Sequence, residues 1–422
     1  MASTSLEKTF GQVGNRQTWT FSAWIKRAGL GTGQNIFSSF PQSTDYQRIM
    51  FNSSDKLYNA EVGGGATAWE VETDAVYRDT SAWYHLVLRQ DTTEATADNR
   101  VRIYINNVQQ TFGTNTQPAQ NRGTQINTAD VHKIGKGDTS EYFDGEMSHI
   151  HWCDGQSYAP TEFGEYDANG VWKIITEPSV TYGTNGFFIL ENGNSVTDQS
   201  GNGNNWTVAG GTLTNTEDSP SNVFCTMNAL SKGSDISMSN GNTTVSNGGT
   251  NNSILGTLAP GNGKYYWEAK CTSASTFANV GVTLASIDGS NHSAVNAGRV
   301  VYENSGNILR EGLSGQGNTS TGITFTTNDI IGVAFDTENG TLTFYKNGTL
   351  VNTTTDSDLL FSNNEYIPCS GLNSGGFSYN FGNGYFGTTA VASAGTNASG
   401  NGIFEYDVPT GYTALSTTGL NL

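Results

Sequence analysis

Residues 329–350, DIIGVAFDTENGTLTFYKNGTL, alternate large apolar positions with small or polar ones. Successive side chains of an extended chain point to opposite faces, so Ile331, Val333 and Phe335 share one face and Gly332 and Ala334 lie on the other. One packed face is expected. After Asn339-Gly340, residue types that tolerate positive φ, the chain returns with Leu342 and Phe344 on one side and Thr341, Thr343 and Tyr345 on the other. A second turn is predicted at Asn347-Gly348. The pattern is a β-hairpin, and nothing in it is reactive.

The first half repeats this grammar. RVRIYINNV (100–108) matches TLTFYKNGT (341–349) position by position, with Tyr104 and Tyr345 each followed two residues later by an Asn-Asn or Asn-Gly turn. Each is preceded by another strand. In the first half this is WYHLVLRQD, where Tyr84, Leu86 and Leu88 alternate against Trp83, His85 and Val87; in the second it is IIGVAFD. No long amphipathic helix pattern interrupts these runs, so the fold class is all-β, with two tandem antiparallel β-sandwiches. The stretch from NGNSVTDQSGNGNNWTVAGG through TLTNTEDSPSN is polar and turn-rich. It places the junction near Asp218, giving domains at 1–218 and 219–422, the second with a C-terminal extension. MSNGNTTVSNGGTNNSILG resembles a linker in composition, but Ile236, Met238, Val245 and Ile254 fit short strands joined by loops.

Composition supports this reading. At 422 residues the chain exceeds the size at which one core keeps growing, and 52 Gly, 8 Pro, 11% aromatic and 14% charged residues suit short strands joined by tight turns. Lys and Arg number 20 against 38 Asp and Glu, a net charge of −18. The few cations are scattered, so nucleic acid is not an expected partner. No apolar run reaches the roughly 20 residues that span a bilayer, and MASTSLEKTF has no signal-peptide core, so a soluble protein made in the cytoplasm, with no membrane insertion, is expected. Cys153, Cys225, Cys271 and Cys369 lie far apart with no C-x-x-C pair, which predicts buried free thiols.

Four blocks carry a resemblance. KYYWEAK (264–270), NVGVTLAS (279–286), the hairpin above and YIPCSGLNSGGFSYNFG (366–382) resemble a SPRY domain, a β-sandwich family that binds partners through its loops. In the first half TWTFSAWIKR (18–27), TSAWYHLVL (80–88), RVRIYINN and FDGEMSHIHWCDGQSYAPTEFGEYD (143–167) resemble a concanavalin or laminin-G type jelly roll. A narrower likeness runs through DGQSYAPTEFGEYDANGVWK, YGTNGFF, DQSGNGNNWT, DSPSNVFCTMNAL and EYDVPTGYTAL. These strings resemble the tandem lectin-like and SPRY-like virion proteins of tailed bacteriophages, of tail-fibre, receptor-binding or decoration type. Without coiled-coil heptads or collagen-like repeats, a compact knob or appendage fits better than a shaft.

That resemblance implies a non-enzymatic protein on the tail or capsid surface of the virion, synthesised in the bacterial host cytoplasm. Its implied partners are other virion proteins, sister subunits in a homo-oligomer, and a host surface glycan or protein. The alternatives are a capsid decoration or head-fibre protein and a glycan depolymerase.

Candidate chemistry is sparse. Glycosidases need two carboxylates about 5 Å apart for retention or roughly 6.5–9.5 Å apart for inversion. Glu141, Asp144 and Glu146 form a tempting cluster, but Glu141 is out of phase with the other two, so surface carboxylates and no catalytic residue are expected. His149 and His151 share a strand face without a third ligand, and Asp198 to Gly203 begins like a calcium loop whose twelfth position is Ala209 instead of Glu. No metal site or cofactor is assigned, although a structural calcium ion elsewhere in the jelly roll is compatible with the sequence. Gly155 to Ala159 lacks the final Gly and the helix of a nucleophile elbow. The candidate ligand-binding residues are Trp69, after GGGATA, and Tyr302, before ENSGN. Aromatic planes there could stack on sugar rings, with core packing as the default for both.

Overall fold

The computed structural model describes residues 4–138, 140–191, 193–274, 277–290, 298–314 and 316–421. The chain divides into two compact units, Met1–Asn215 and Thr216–Leu422. Both are built from strands, and among the described residues helix occurs only as short 3-10 turns.

In the first unit an eight-stranded antiparallel sheet runs Phe112–Thr116, Ala66–Thr73, Leu57–Gly63, Asp45–Phe51, Gln34–Gln42, Val131–Ile134, Ser5–Thr9, Thr207–Gly210. A six-stranded sheet runs Phe187–Ile189, Gly145–Asp154, Thr18–Arg27, Trp83–Asp91, Val101–Ile105, Val108–Gln109. Trp19, Phe21, Ala23 and Ile25 from the second sheet pack with Ile36, Phe37, Ile49 and Phe51 from the first in one buried core. In the second unit a sheet running Met227–Lys232, Asn252–Gly256, Tyr366–Asn373, Phe277–Leu284, Arg299–Glu303, Asn307–Glu311, Gly317–Ser320 shares a core with a second sheet. That second sheet runs Ile236–Ser239, Thr244–Asn247, Gly376–Asn380, Lys264–Ser273, Ile330–Asp336, Thr341–Lys346, Thr349–Thr355.

The paired turns found in the sequence set these registers. Asn106 and Asn107 have φ of 48° and 66°, and Asn347 and Gly348 have 48° and 76°. Two successive left-handed residues make the tight turn whose twist matches that of the flanking strands. The patch around MSNGNTTVSNGG forms three short strands, as its alternation predicts.

One expectation needs correction. The hairpin was expected to pack one face, yet every residue of Ile330–Asp336 is buried. Ile331, Val333 and Phe335 face the core, and the opposite face is covered by the C-terminal segment, from which Phe404, Val408, Ala414 and Leu415 are buried. Gly332 and Ala334 are small because Tyr266 lies across them: a Cβ on Gly332 would stand 2.6 Å from the Tyr266 hydroxyl. Phe404 meets the Tyr266 ring edge-on at 5.0 Å. The first unit repeats this arrangement. Val87, Cys153 and Phe163 form a small outer cluster with Tyr158, Val180 and Tyr182, so Trp83–Asp91 is also covered on both sides.

Glu268 ties the C-terminal segment down. Fully buried, it accepts the amides of Glu405 and Tyr406, both at 2.9 Å, and the Tyr266 hydroxyl at 3.1 Å. Burial pushes its carboxyl up to about 7, outweighing those donors, and the neighbouring Glu405 charge adds to the rise. The fold therefore favours the protonated form. That stabilisation is complete below the ordinary value of 4.5 and is lost as pH rises towards about 7. Between pH 5 and pH 8 the second unit should lose about 2–3 kcal/mol from this group. In Glu268→Ala the two amides lose their acceptor, so hydrogen exchange at Glu405 and Tyr406 should accelerate well before global unfolding; unchanged protection would remove Glu268 from this role.

Candidate functional site

The outer side of the eight-stranded sheet in the first unit presents a mixed aromatic and polar surface. Alternation along Asp45–Phe51 turns Ile49 and Phe51 inward and sends Tyr46, Arg48 and Met50 the other way. Across the sheet, Tyr58 lies opposite Met50 and Ala60 opposite Arg48; beyond them Glu72 lies opposite Tyr58 and Glu70 opposite Ala60. Tyr46, Arg48, Tyr58, Glu70 and Glu72 are half-buried, whereas Met50 is buried beneath them. Gly33, Arg48, Tyr58 and Glu141 line an open pocket of about 260 Å³, together with Met50, Asn52 and Ser53.

The charges around this pocket are paired. Arg48 Nη1 lies 3.1 Å from Glu141 Oε2, which also accepts from Asn35 Nδ2 at 3.0 Å. The guanidinium sits 5.4 Å and 5.7 Å from the ring centroids of Tyr46 and Tyr58, within cation–π range. The Tyr58 hydroxyl donates to Glu70 at 2.9 Å, and burial followed by that carboxylate raises its pKa well above the ordinary tyrosine value. Glu72 is held by Asn52 at 2.6 Å and by Lys56 at 3.0 Å. The arrangement presents donors, acceptors and aromatic edges without a free charge of either sign at its centre.

Glu141 reaches this pocket because of its backbone. Its φ is 62° and its carbonyl accepts the Asn35 amide at 2.9 Å, which takes it out of the alternation of Gly145–Asp154. The three carboxylates considered for glycosidase chemistry consequently have separate settings. Glu141 joins Arg48, Asp144 is raised in pKa by burial, and Glu146 lies opposite Lys26 across the strand pair.

Trp69 and Tyr302, the two residues singled out for sugar stacking, are core residues. Trp69 is 1% exposed and donates its indole N–H to the buried Glu61 at 2.9 Å; Glu61 is in turn paired with Arg122. Tyr302 has no exposed surface, donates to the Ile323 carbonyl at 2.6 Å and packs against Phe325 and Phe344. The stacking reading is corrected on physical grounds: both lie at inward positions of their strands, and neither ring has an open face.

The remaining motifs are structural. His149 lies within the strand irregularity between Ser148 and His151, and both histidines are buried and pack against Phe188, at 5.7 Å and 4.0 Å. Among the described residues no group of three or more His, Cys, Asp or Glu is placed to hold a metal ion. The Asp198 carboxylate accepts from the Phe188, Ser200 and Asn204 amides and the Ser200 hydroxyl, the bonding of a closed polar turn. Ser157 accepts from Arg89 Nε in a loop, and all four cysteines are buried free thiols.

The outer face escaped the sequence reading because its strands are polar on both sides. Gln47, Asn59 and Glu61 point away from Arg48 and Tyr58 yet are almost fully buried, so hydrophobic alternation is flattened in DYQRIMF and LYNAEVG. The available signal was Tyr46, Arg48 and Met50 at every second position.

Known proteins resemble each unit separately. Residues 3–156, which contain the whole pocket, match the concanavalin A-like lectin/glucanases superfamily, and residues 264–383 match the SPRY domain. The chain carries a concanavalin A-like domain followed by a SPRY domain. The crystal structure of the SPRY domain of human HERC1 is similar over 36% of this chain and 96% of its own, at 19% identity and a TM-score of 0.30. The TRIM65 PSpry domain is similar over 36% of this chain and 87% of its own, at 14% identity and 0.29. Stonustoxin is similar over 37% of this chain and 27% of its own, at 16% identity and 0.28. No curated protein matches the chain. In the SPRY domain the Glu268 tie lies within the matched residues, whereas the segment it holds lies beyond them.

Proposed function

We propose that this protein is a non-enzymatic surface component of a tailed-bacteriophage virion, on the tail or the capsid, that attaches the particle to a glycan or protein of the host envelope. The observation that carries this reading is the open pocket at Arg48, Tyr58 and Glu141, set in a half-buried aromatic and polar sheet face. Faces of that composition bind by contact, with polar groups fixing orientation and apolar surface supplying affinity. The tandem of a concanavalin A-like and a SPRY domain supports a protein that works through surfaces, although fold alone does not assign a role. The strings from DGQSYAPTEFGEYDANGVWK to EYDVPTGYTAL supply the phage context. Sister copies and other virion proteins are the proposed structural partners, and multiple copies would multiply a weak affinity. No helix among the described residues is long and apolar enough to cross a membrane.

The test is binding of the purified chain to host cells and to their isolated envelope polysaccharide, together with imaging of the particle. Saturable binding, and density for the chain on the particle surface, are the expected results. Stable incorporation on the capsid without any host binding would replace attachment with decoration.

A further inference from the structure

We propose that Asn169-Gly170 is a site of spontaneous deamidation, at which the folded chain converts asparagine to aspartate and isoaspartate and so loosens the hairpin that covers His85. Nothing in this depends on a role in attachment.

Eleven asparagines precede a glycine, the residue whose lack of a Cβ lets its amide nitrogen approach the preceding side chain. The fold restrains most of them. Asn185, Asn247, Asn383 and Asn401 are buried. Asn202 donates to the Gly183 and Gly186 carbonyls, Asn240 to Thr244, Asn339 to Asp336 and Asn347 to Asp329, so each of these side-chain amides is held in place. Asn192 lies outside the described residues. Asn169 and Asn262 are exposed, and their side chains make no hydrogen bond among the described residues.

The glycine amide separates these two. Gly263 donates to the hydroxyl of the buried Thr337 at 2.8 Å, and its carbonyl accepts the Thr337 amide at 2.9 Å, which pins the nucleophile from both sides. Gly170 donates to the Asp167 carbonyl at 3.0 Å, inside its own turn, and a Cβ built on it would meet nothing within 4 Å. Local opening of that one exposed bond frees the nitrogen. It attacks Asn169 Cγ and closes a succinimide ring through a new N–Cγ bond. The Cγ–Nδ2 bond breaks, and Nδ2 leaves as ammonia with the proton that Gly170 gives up. Water then opens the ring at either carbonyl, leaving aspartate or isoaspartate.

Isoaspartate matters because this turn sets a register. Asp167 Oδ1 accepts the Asn169 and Val171 amides, both at 2.9 Å, while Tyr166 pairs with Trp172 across the hairpin. An extra backbone carbon between residues 169 and 170 displaces Val171 from that carboxylate, and the new negative charge lies beside it. A two-stranded hairpin has little stability of its own. The Trp172 indole N–H, which donates to His85 at 3.0 Å, then loses its fixed position.

Peptide mass spectrometry on the full chain, incubated at mildly alkaline pH in buffer and in denaturant, tests the site. In buffer Asn169 is expected to convert at least tenfold faster than any of the restrained asparagines, with isoaspartate among the products; in denaturant the difference should vanish. Hydrogen exchange at residues 164–174 should rise in the converted protein and stay unchanged in Asn169→Gln incubated alike, whose longer side chain closes a ring far more slowly. Equal rates in buffer at Asn169 and the restrained sites would overturn the proposal, as would faster conversion at Asn262 or a difference that persists in denaturant. Unchanged exchange in the converted protein would remove the loosening of the hairpin.

Discussion

At pH 5 the concanavalin A-like domain is expected to unfold far more readily than at pH 8, while the SPRY domain shifts the other way. Four histidines of the first domain are buried in their neutral form. His85 is lowered to about 3, and His132 and His149 to about 4, in each case by burial; His151 is lowered by burial and then by the charges of His149 and His85. Their contacts agree with the neutral form. His85 Nδ1 accepts the Trp172 indole N–H at 3.0 Å with Ser22 at its other nitrogen, and His132 Nε2 accepts the Asn127 amide at 3.0 Å with the Asp130 carbonyl at its Nδ1. A second ring proton would face a donor in both places.

The direction follows from linkage. Each histidine titrates near 6.5 when unfolded and well below that when folded, so the unfolded state takes up protons first and stability falls as pH drops below about 6.5. The loss is about 2 kcal/mol at pH 5 for each of the three histidines with an assigned value, about 6 kcal/mol together, against a typical domain stability of roughly 5–15 kcal/mol. Glu268 acts oppositely in the SPRY domain. Hydrogen exchange on peptides from each domain of the full chain, at pH 5 and pH 8, separates the two; parallel shifts would contradict the buried-histidine explanation.

Asp55→Asn should destabilise the concanavalin A-like domain by about 3–5 kcal/mol, the range for leaving one member of a buried ion pair uncompensated. The Arg27 side chain has no exposed surface, lies 2.9 Å from Asp55 Oδ1 and sits 4.1 Å from the centroid of the Phe51 ring. Burial alone would raise the Asp55 carboxyl, but the Gly31 amide, Arg78 and Arg27 outweigh it and hold the carboxyl below the ordinary range. Asn tolerates the φ of 62° at this position, so the substitution tests charge and not backbone strain. Adding Arg27→Met should recover much of the loss, because it removes the buried guanidinium charge that Asp55→Asn leaves uncompensated. Chemical denaturation of the two variants is the check, and a double variant no more stable than Asp55→Asn alone would place the cost elsewhere.

These internal charges mark where the sequence ceased to be legible. Hairpins were readable because alternation and left-handed Asn or Gly turns are local, and Asn106-Asn107 and Asn347-Gly348 form where they were expected. Covering segments were not readable, since nothing local to Gly332 or Ala334 announces that Phe404 and Tyr266 will pack over them. Polar residues misled for the same reason. Glu61, Gln47 and Glu268 look like surface groups in sequence and are buried, each with partners distant in the chain: Arg122, Ile126 and the amides of Glu405 and Tyr406. Trp69 beside a glycine run is a stacking candidate in sequence with core packing as its default, and core packing is what forms, because the run supplies only the turn before a strand that carries its ring inward. Pocket residues became visible only once Glu141, out of phase with its own strand, had been brought beside Arg48.

The decisive measurement is the chain length of host envelope polysaccharide after prolonged incubation with the purified protein, made alongside a binding isotherm on the same polymer. Attachment by contact predicts saturable binding with no change in polymer size. Shortening of the polymer that disappears in Glu146→Gln would show bond cleavage and contradict it.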